Sequence, residues 1–160
     1  MKINKLALGA ALTALVFFAT RFLAVATPVG LFHMGDAFIL GSAAILGPFA
    51  FIPAALGSML ADSFGYAQYI PATLVLKGLL GLLAGFLLQR MHKAIYIALC
   101  FLTLECVLVV GGYYLYEIIL YNADIAAFHL VFNAAQALVG TMGGLLFATQ
   151  LRRLPWLRQR

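Results

Sequence analysis

Asp36, Lys77, Glu105, Asn133 and Gln136 stand inside or at the edge of long apolar runs of a 160-residue chain. Such groups need a reason to be there, because a charge at the centre of a membrane segment costs roughly 2.5–3.5 kcal/mol on insertion scales. Asn133, Gln136 and Gly140 fall at i, i+3 and i+7, so they share one helix face. Amides on that face either hydrogen-bond a neutral polar ligand or tie neighbouring helices together. Lys77 lies in Pro71-Ala72-Thr73-Leu74-Val75-Leu76-Lys77-Gly78. It either snorkels to the surface or pairs with Asp36 or Asp62. Glu105 is the deepest acid, and a partner or a ligand is the default expectation for it. Asp36 follows Gly35 at a helix start, where a carboxylate caps free N–H groups. Asp62 and Ser63 end an apolar run before Gly65, Glu117 reads as interfacial, and His129 lies one turn above Asn133. Tyr113, Tyr114, Tyr116 and Tyr121 form an aromatic belt, from which one or two rings could cover a planar ligand. The acids and the lysine also fit a structural ion-pair network near one face.

No catalytic constellation accompanies these groups. The sequence has no HExxH, no GxSxG and no Walker lysine, so neither an enzyme nor a chain that itself uses ATP is expected. Cys100 and Cys106 are six apart, which is neither a zinc nor a redox spacing. They read as small buried hydrophobes, and no metal or cofactor is expected. The net charge of +5 does not point to nucleic acid, because the basic residues sit at segment ends rather than on one face.

The elements that position these groups follow from composition. Hydrophobic residues make up 65% of the chain and charged ones 9%, and mean hydropathy is +1.06. A soluble domain is about a quarter charged, so this chain needs an apolar solvent, the lipid bilayer. The reading is an all-α integral membrane protein, a single bundle of six transmembrane helices over 1–160. The spans run from about 6–26, 35–48, 51–64, 72–88, 94–121 and 126–151. Lys2, Lys5 and the apolar run to Ala19 also resemble a signal peptide with Ala24-Val25-Ala26 as cleavage site, but Arg21 interrupts that pattern. Pro28 and Gly30 mark a loop after the first span.

Charge tests the count. Lys2, Lys5, Arg90, Lys93, Arg152, Arg153, Arg158 and Arg160 fall at the N-terminus, the fourth-to-fifth loop or the C-terminus. Those three places share one side in a six-helix chain, and Asp36, Asp62, Glu117 and Asp124 lie near the other. The positive-inside rule makes both termini cytoplasmic. Small residues form a second pattern. Ala7, Ala11 and Ala14 make a stripe on helix one with Ala10 beside it, and Gly78, Gly81 and Gly85 repeat it on helix four. Such stripes let helices approach closely. On helix four the expectation is packing within the bundle, and on helix one docking of a separate membrane protein.

These residues in this order resemble a known family. His33-Met34-Gly35-Asp36-Ala37-Phe38-Ile39-Leu40, Gly47-Pro48, Gly57-Ser58-Met59-Leu60-Ala61-Asp62 and Tyr69-Ile70-Pro71 through Lys77-Gly78 are similar to the substrate-binding (S) components of energy-coupling factor (ECF) vitamin transporters. Glu105, Gly112-Tyr113, Glu117, and Asn133-Ala134-Ala135-Gln136 with Gly140 extend the likeness. The branch is that of riboflavin and hydroxymethylpyrimidine S components. The resemblance implies a multi-pass plasma-membrane protein of a prokaryote that binds a vitamin or precursor at its extracellular side. It implies docking on a transmembrane coupling protein driven by two ATPase subunits, through AxxxA motifs at Ala7, Ala10, Ala11 and Ala14. The binding-site expectation is Asn133, Gln136, Glu105, Lys77 and Asp36, with hydroxymethylpyrimidine, pyridoxine or a riboflavin-like compound as ligand. Two other readings stay open: a structural or assembly membrane protein, and a stand-alone ion-coupled carrier using Glu105 and Lys77.

Overall fold

The computed structural model describes residues 5–27, 30–151 and 153. Lys2, Pro28, Arg152, Arg158 and Arg160, which the charge and loop arguments invoke, lie outside them. The described residues are helical apart from one small hairpin and short connecting turns. Helix α1 spans Lys5–Arg21, strands β1 Ala24–Thr27 and β2 Gly30–His33, α2 Gly35–Leu46 and α3 Phe51–Asp62. Then come α4 Ile70–Arg90, α5 Ala94–Leu104, α6 Gly112–Leu120 and α7 Ala123–Leu151.

The expectation that the first helix continues to Ala26 is corrected. It stops at Arg21, and β1 pairs antiparallel with β2, Ala24 opposite His33 and Val25 opposite Phe32. The chain must turn back between Arg21 and Gly35 at the bundle's end, and ladder pairing satisfies its backbone groups there. Met34 N–H completes this by donating to the Leu23 carbonyl at 3.2 Å.

Among the described residues four runs are long and apolar enough to cross a membrane: Gly35–Asp62, Ala67–Arg90, Ala94–Leu120 and Ala123–Leu151. The first doubles back. Gly47 ends α2 at φ +59, and a 3-10 turn over Gly47–Ala50 leads into α3. Positive φ suits glycine, and a Cβ there would meet Gln89 Nε2 at 2.6 Å. Gly85 of α4 backs onto the same Gly47 backbone. At the far end, Asp36 from the start of α2 and Asp62 from the end of α3 both return to the region of Lys77. The Ala94–Leu120 run carries a π-helical segment, Glu105–Gly111, between α5 and α6. Such widened turns re-aim side chains and are frequent at functional sites.

The core is built from Val16, Ile39, Leu40, Leu80, Phe101 and Val109. Large apolar side chains also cover the outside. Val75, Leu79, Leu83 and Phe86 on α4, and Val131, Leu138, Met142 and Leu146 on α7, are exposed at helical spacing. On a water-soluble protein so much exposed apolar surface would drive association; here it is the lipid-facing side of a multi-pass membrane protein. The opposite face of α7 is inward and holds His129, Gln136, Gly140, Gly144 and Ala148.

Candidate functional site

At the end of the bundle where Asp36 and Asp62 meet α4 lies a cavity of about 100 Å³. Its floor is a fixed ion pair. Lys77 Nζ donates to Asp36 Oδ1 at 2.6 Å, and Gln136 Nε2 donates to Asp36 Oδ2 at 2.8 Å. Met34, not Asp36, is the N-cap residue of α2, and Asp36 stands in the first turn, so the reading of Asp36 as the cap residue is corrected. Two long-range partners claim both carboxylate oxygens instead. The Gln136 carbonyl oxygen in turn accepts the His33 backbone N–H at 3.4 Å. One side chain of α7 therefore ties the hairpin to α2.

The two amides of α7 thus divide between the two roles left open by their spacing. Gln136 is engaged at both ends. Asn133, one turn before Gln136, lines the chamber, and its Nδ2 is buried without a partner among the described residues. A buried unsatisfied donor costs about 1–3 kcal/mol, which a bound ligand would relieve. The same description holds for Thr20 Oγ1, Asp62 Oδ2 and Glu117 Oε2, on residues that also line the chamber.

The walls are aromatic. Tyr69 OH donates to Glu117 Oε1 at 3.1 Å, and His129 Nδ1 lies 2.9 Å from the same oxygen. The Tyr113 hydroxyl is 2.8 Å from Thr73 Oγ1, and its ring centre is 5.4 Å from Lys77 Nζ, within cation–π range. Tyr116 and Tyr121 pack against Tyr69, and Tyr116 OH holds the Gln68 carbonyl at 2.6 Å. Part of the tyrosine belt is therefore wall rather than interfacial anchor. Phe32 and His33 of the hairpin complete the chamber. Gly35 N–H donates to His33 Nδ1 at 3.2 Å. Burial, reinforced by nearby Lys77 and opposed by Asp36, pushes that imidazole down to about 4, so it is neutral at pH 7.

Of the five expected binding residues, Lys77, Asn133 and Gln136 line the cavity, and Asp36 touches it through Lys77 and Gln136. Glu105 sits beneath, fully buried, with neither carboxylate oxygen hydrogen-bonded among the described residues. A Cβ on Gly140 would lie 2.9 Å from both Asp36 Cβ and Glu105 Oε1, so this glycine lets α7 pass between them. The expectation missed Thr20, Asp62, Glu117, His129 and the hairpin residues. For His129 a signal existed, since it lies on the Asn133 face; for Phe32 and His33 none did, because the hairpin itself was not foreseen.

A second concavity, of about 1200 Å³, lies toward the opposite end. Gly9, Ala10, Thr13 and Ala14 of α1 form one bank, with Ala43, Phe49, Ile52 and Leu56 of α2, α3 and their connecting turn on the other. Ala7, Ala10, Ala11 and Ala14 are all exposed. Among the described residues no bundle helix covers the stripe.

The chamber is small, lined by polar atoms that lack partners among the described residues, and carried by helical runs long and apolar enough to cross a membrane. A family model described as ECF-type riboflavin transporter, S component, matches residues 1–153, and the chain belongs to that family. It is a transport subunit by family. A comparison with curated proteins returns no match.

Proposed function

We propose that this chain is the substrate-binding subunit of an ECF-type ABC transporter in a prokaryotic plasma membrane. It captures a small vitamin or precursor outside the cell and passes it to a transmembrane coupling protein driven by two ATPase subunits. Hydrolysis of ATP belongs to those partners. The single observation that carries the reading is the set of buried, unpartnered polar atoms on Asn133, Asp62, Glu117 and Thr20 around one cavity. A structural protein has no use for such a set, whereas a ligand completes it. In this reading Asn133 contacts substrate, Lys77 and Gln136 form the floor, Asp36 clamps them, and Glu105 supports the floor from below.

Topology fits the role. We read α1 to α4, the α5–α6 run and α7 as six spans with both termini cytoplasmic. Lys5, Arg90, Lys93 and Arg153 lie at helix ends away from the chamber, and Asp36, Asp62 and Glu117 lie at the chamber end. The exposed Ala7, Ala10, Ala11 and Ala14 stripe is the docking face for the coupling protein, since small residues permit close helix approach.

The test is to purify the chain in mild detergent and identify co-purifying small molecules by mass spectrometry. A stoichiometric pyrimidine, pyridine or flavin compound is the expected result. No ligand, and no thermal stabilisation when such compounds are added back, would leave the structural or assembly reading in front. Uptake by vesicles holding this chain without ATPase subunits would favour the ion-coupled carrier, for which the unpartnered Glu105 is the motivating observation.

A further inference from the structure

Glu105 opens the π-helical segment and turns into the bundle rather than out to lipid. It is fully buried, and among the described residues neither of its oxygens has a hydrogen-bond or ion-pair partner. The carboxyl lies against α7, where the bare backbone of Gly140 leaves it room. Glu105 lines neither the chamber nor the groove at the opposite end, so neither space brings water to it.

The charges around it are already matched. Asp36 arrives from α2 and Lys77 from α4, and these two pair with each other at 2.6 Å. Gln136 of α7 takes the second Asp36 oxygen, and α6 places the Tyr113 ring centre 5.4 Å from the Lys77 ammonium. An ionised Glu105 would add one uncompensated negative charge beside a pair that is neutral as it stands. An isolated carboxylate out of water neutralises rather than bear that cost.

The missing positive charge is a metal cation or a proton. Hard cations gather about six oxygen ligands. Here Glu105 offers its own two, both Asp36 oxygens are engaged, and the Lys77 ammonium repels a second cation. Among the described residues no cluster of three His, Cys, Asp or Glu side chains is set to hold a metal ion. A proton needs a single oxygen.

We propose that Glu105 is a proton-binding site: its carboxyl is held as the neutral acid beneath the Asp36–Lys77 pair, so that the three side chains together carry no net charge. The inference stands on burial and pairing and does not require the chamber to be the substrate site. The chain has two glutamates, Glu105 and Glu117, so selective labelling tests it. The whole chain, made with glutamate carrying carbon-13 at the side-chain carboxyl, is purified in detergent with choline as the buffer cation. Its carboxyl signals are read by NMR at about pH 7, where an ordinary glutamate is ionised. One signal stands at the neutral-acid position. It is lost in Glu105→Gln and persists in Glu117→Gln, which assigns it even if the first variant fails to fold. No neutral-acid signal, or one that vanishes in Glu117→Gln, overturns the proposal. A Glu105 signal that moves to the ionised position when sodium chloride is added assigns the site to a metal cation and overturns it as well.

Discussion

The two ends of this bundle solve opposite problems with the same helices. At one end α2, α3, α4, α6 and α7 turn charged and amide side chains inward around about 100 Å³ and leave several of them unsatisfied. At the other, α1, α2 and α3 leave an open groove of about 1200 Å³ whose α1 bank carries Gly9, Ala10, Thr13 and Ala14 between Leu6 and Phe17. The first is closed by hydrogen bonds between elements far apart in sequence, such as Gln136 with Asp36 and His33. In the second, Gly9, Ala10 and Ala14 in the middle of the α1 bank provide little side chain to fill the groove. Polarity with a deficit of partners suits a small polar ligand; apolarity with a deficit of volume suits another helix.

The comparison breaks first at the groove. Ala14→Trp fills the α1 bank, and uptake in cells carrying the coupling module falls by more than about tenfold while ligand binding to the purified chain is unchanged, since small-residue contacts set helix approach. Loss of binding with loss of uptake would show that the two ends are not separable. At the chamber, Lys77→Met strands the Asp36 carboxylate in the core. Removing one partner of a buried pair costs about 3–5 kcal/mol, read as a large drop in thermal midpoint, with much of it recovered in the Asp36→Leu/Lys77→Met double variant.

Smaller effects sharpen the division between the two amides. Asn133→Ala removes an Nδ2 with no partner among the described residues, so it lowers ligand affinity at a cost of about 1–3 kcal/mol and leaves the thermal midpoint of the empty protein nearly unchanged. Gln136→Ala lowers both. Equal behaviour of the two variants would sink the assignment of distinct roles. The smallest effect is a pH dependence carried by His33. Its folded pKa, about 4, lies below the ordinary 6.5, so the unfolded chain binds the proton more readily. Stability contributed by the neutral ring is present above pH 6.5 and is lost progressively as pH falls toward 4. Thermal midpoints measured from pH 7 to 5 fall less steeply in His33→Gln than in the unaltered chain.

Much of this was legible in the sequence. Period and apolar length announced the helices because the bilayer admits few alternatives for a backbone without water. Lys77 and Asp36 were visible as candidates because a charge in an apolar run stands out against its neighbours. The spacing of Asn133 and Gln136 placed both on the inward face of α7, where both are found. Sequence alone could not say which amide is tied and which is free, since that depends on where Asp36 arrives from α2. Nor could it foresee the β1–β2 hairpin, whose ladder forms from residues that continue the apolar run of α1. Glu117 and His129 looked interfacial one at a time and became a wall pair only when α6 and α7 were packed together.

Composition and periodicity therefore determined the solvent, the secondary structure and the short list of polar residues with a reason to be buried. Those are local properties, decided by the transfer cost of each side chain. Tertiary structure decided which of those residues satisfy one another and which are left over. Hydrogen bonding is pairwise and depends on distances of tenths of an ångström between helices, and no spacing along one chain encodes it. The leftover atoms on Asn133, Asp62, Glu117 and Thr20 are defined only by that outcome, and they are the part of the molecule that a ligand would read.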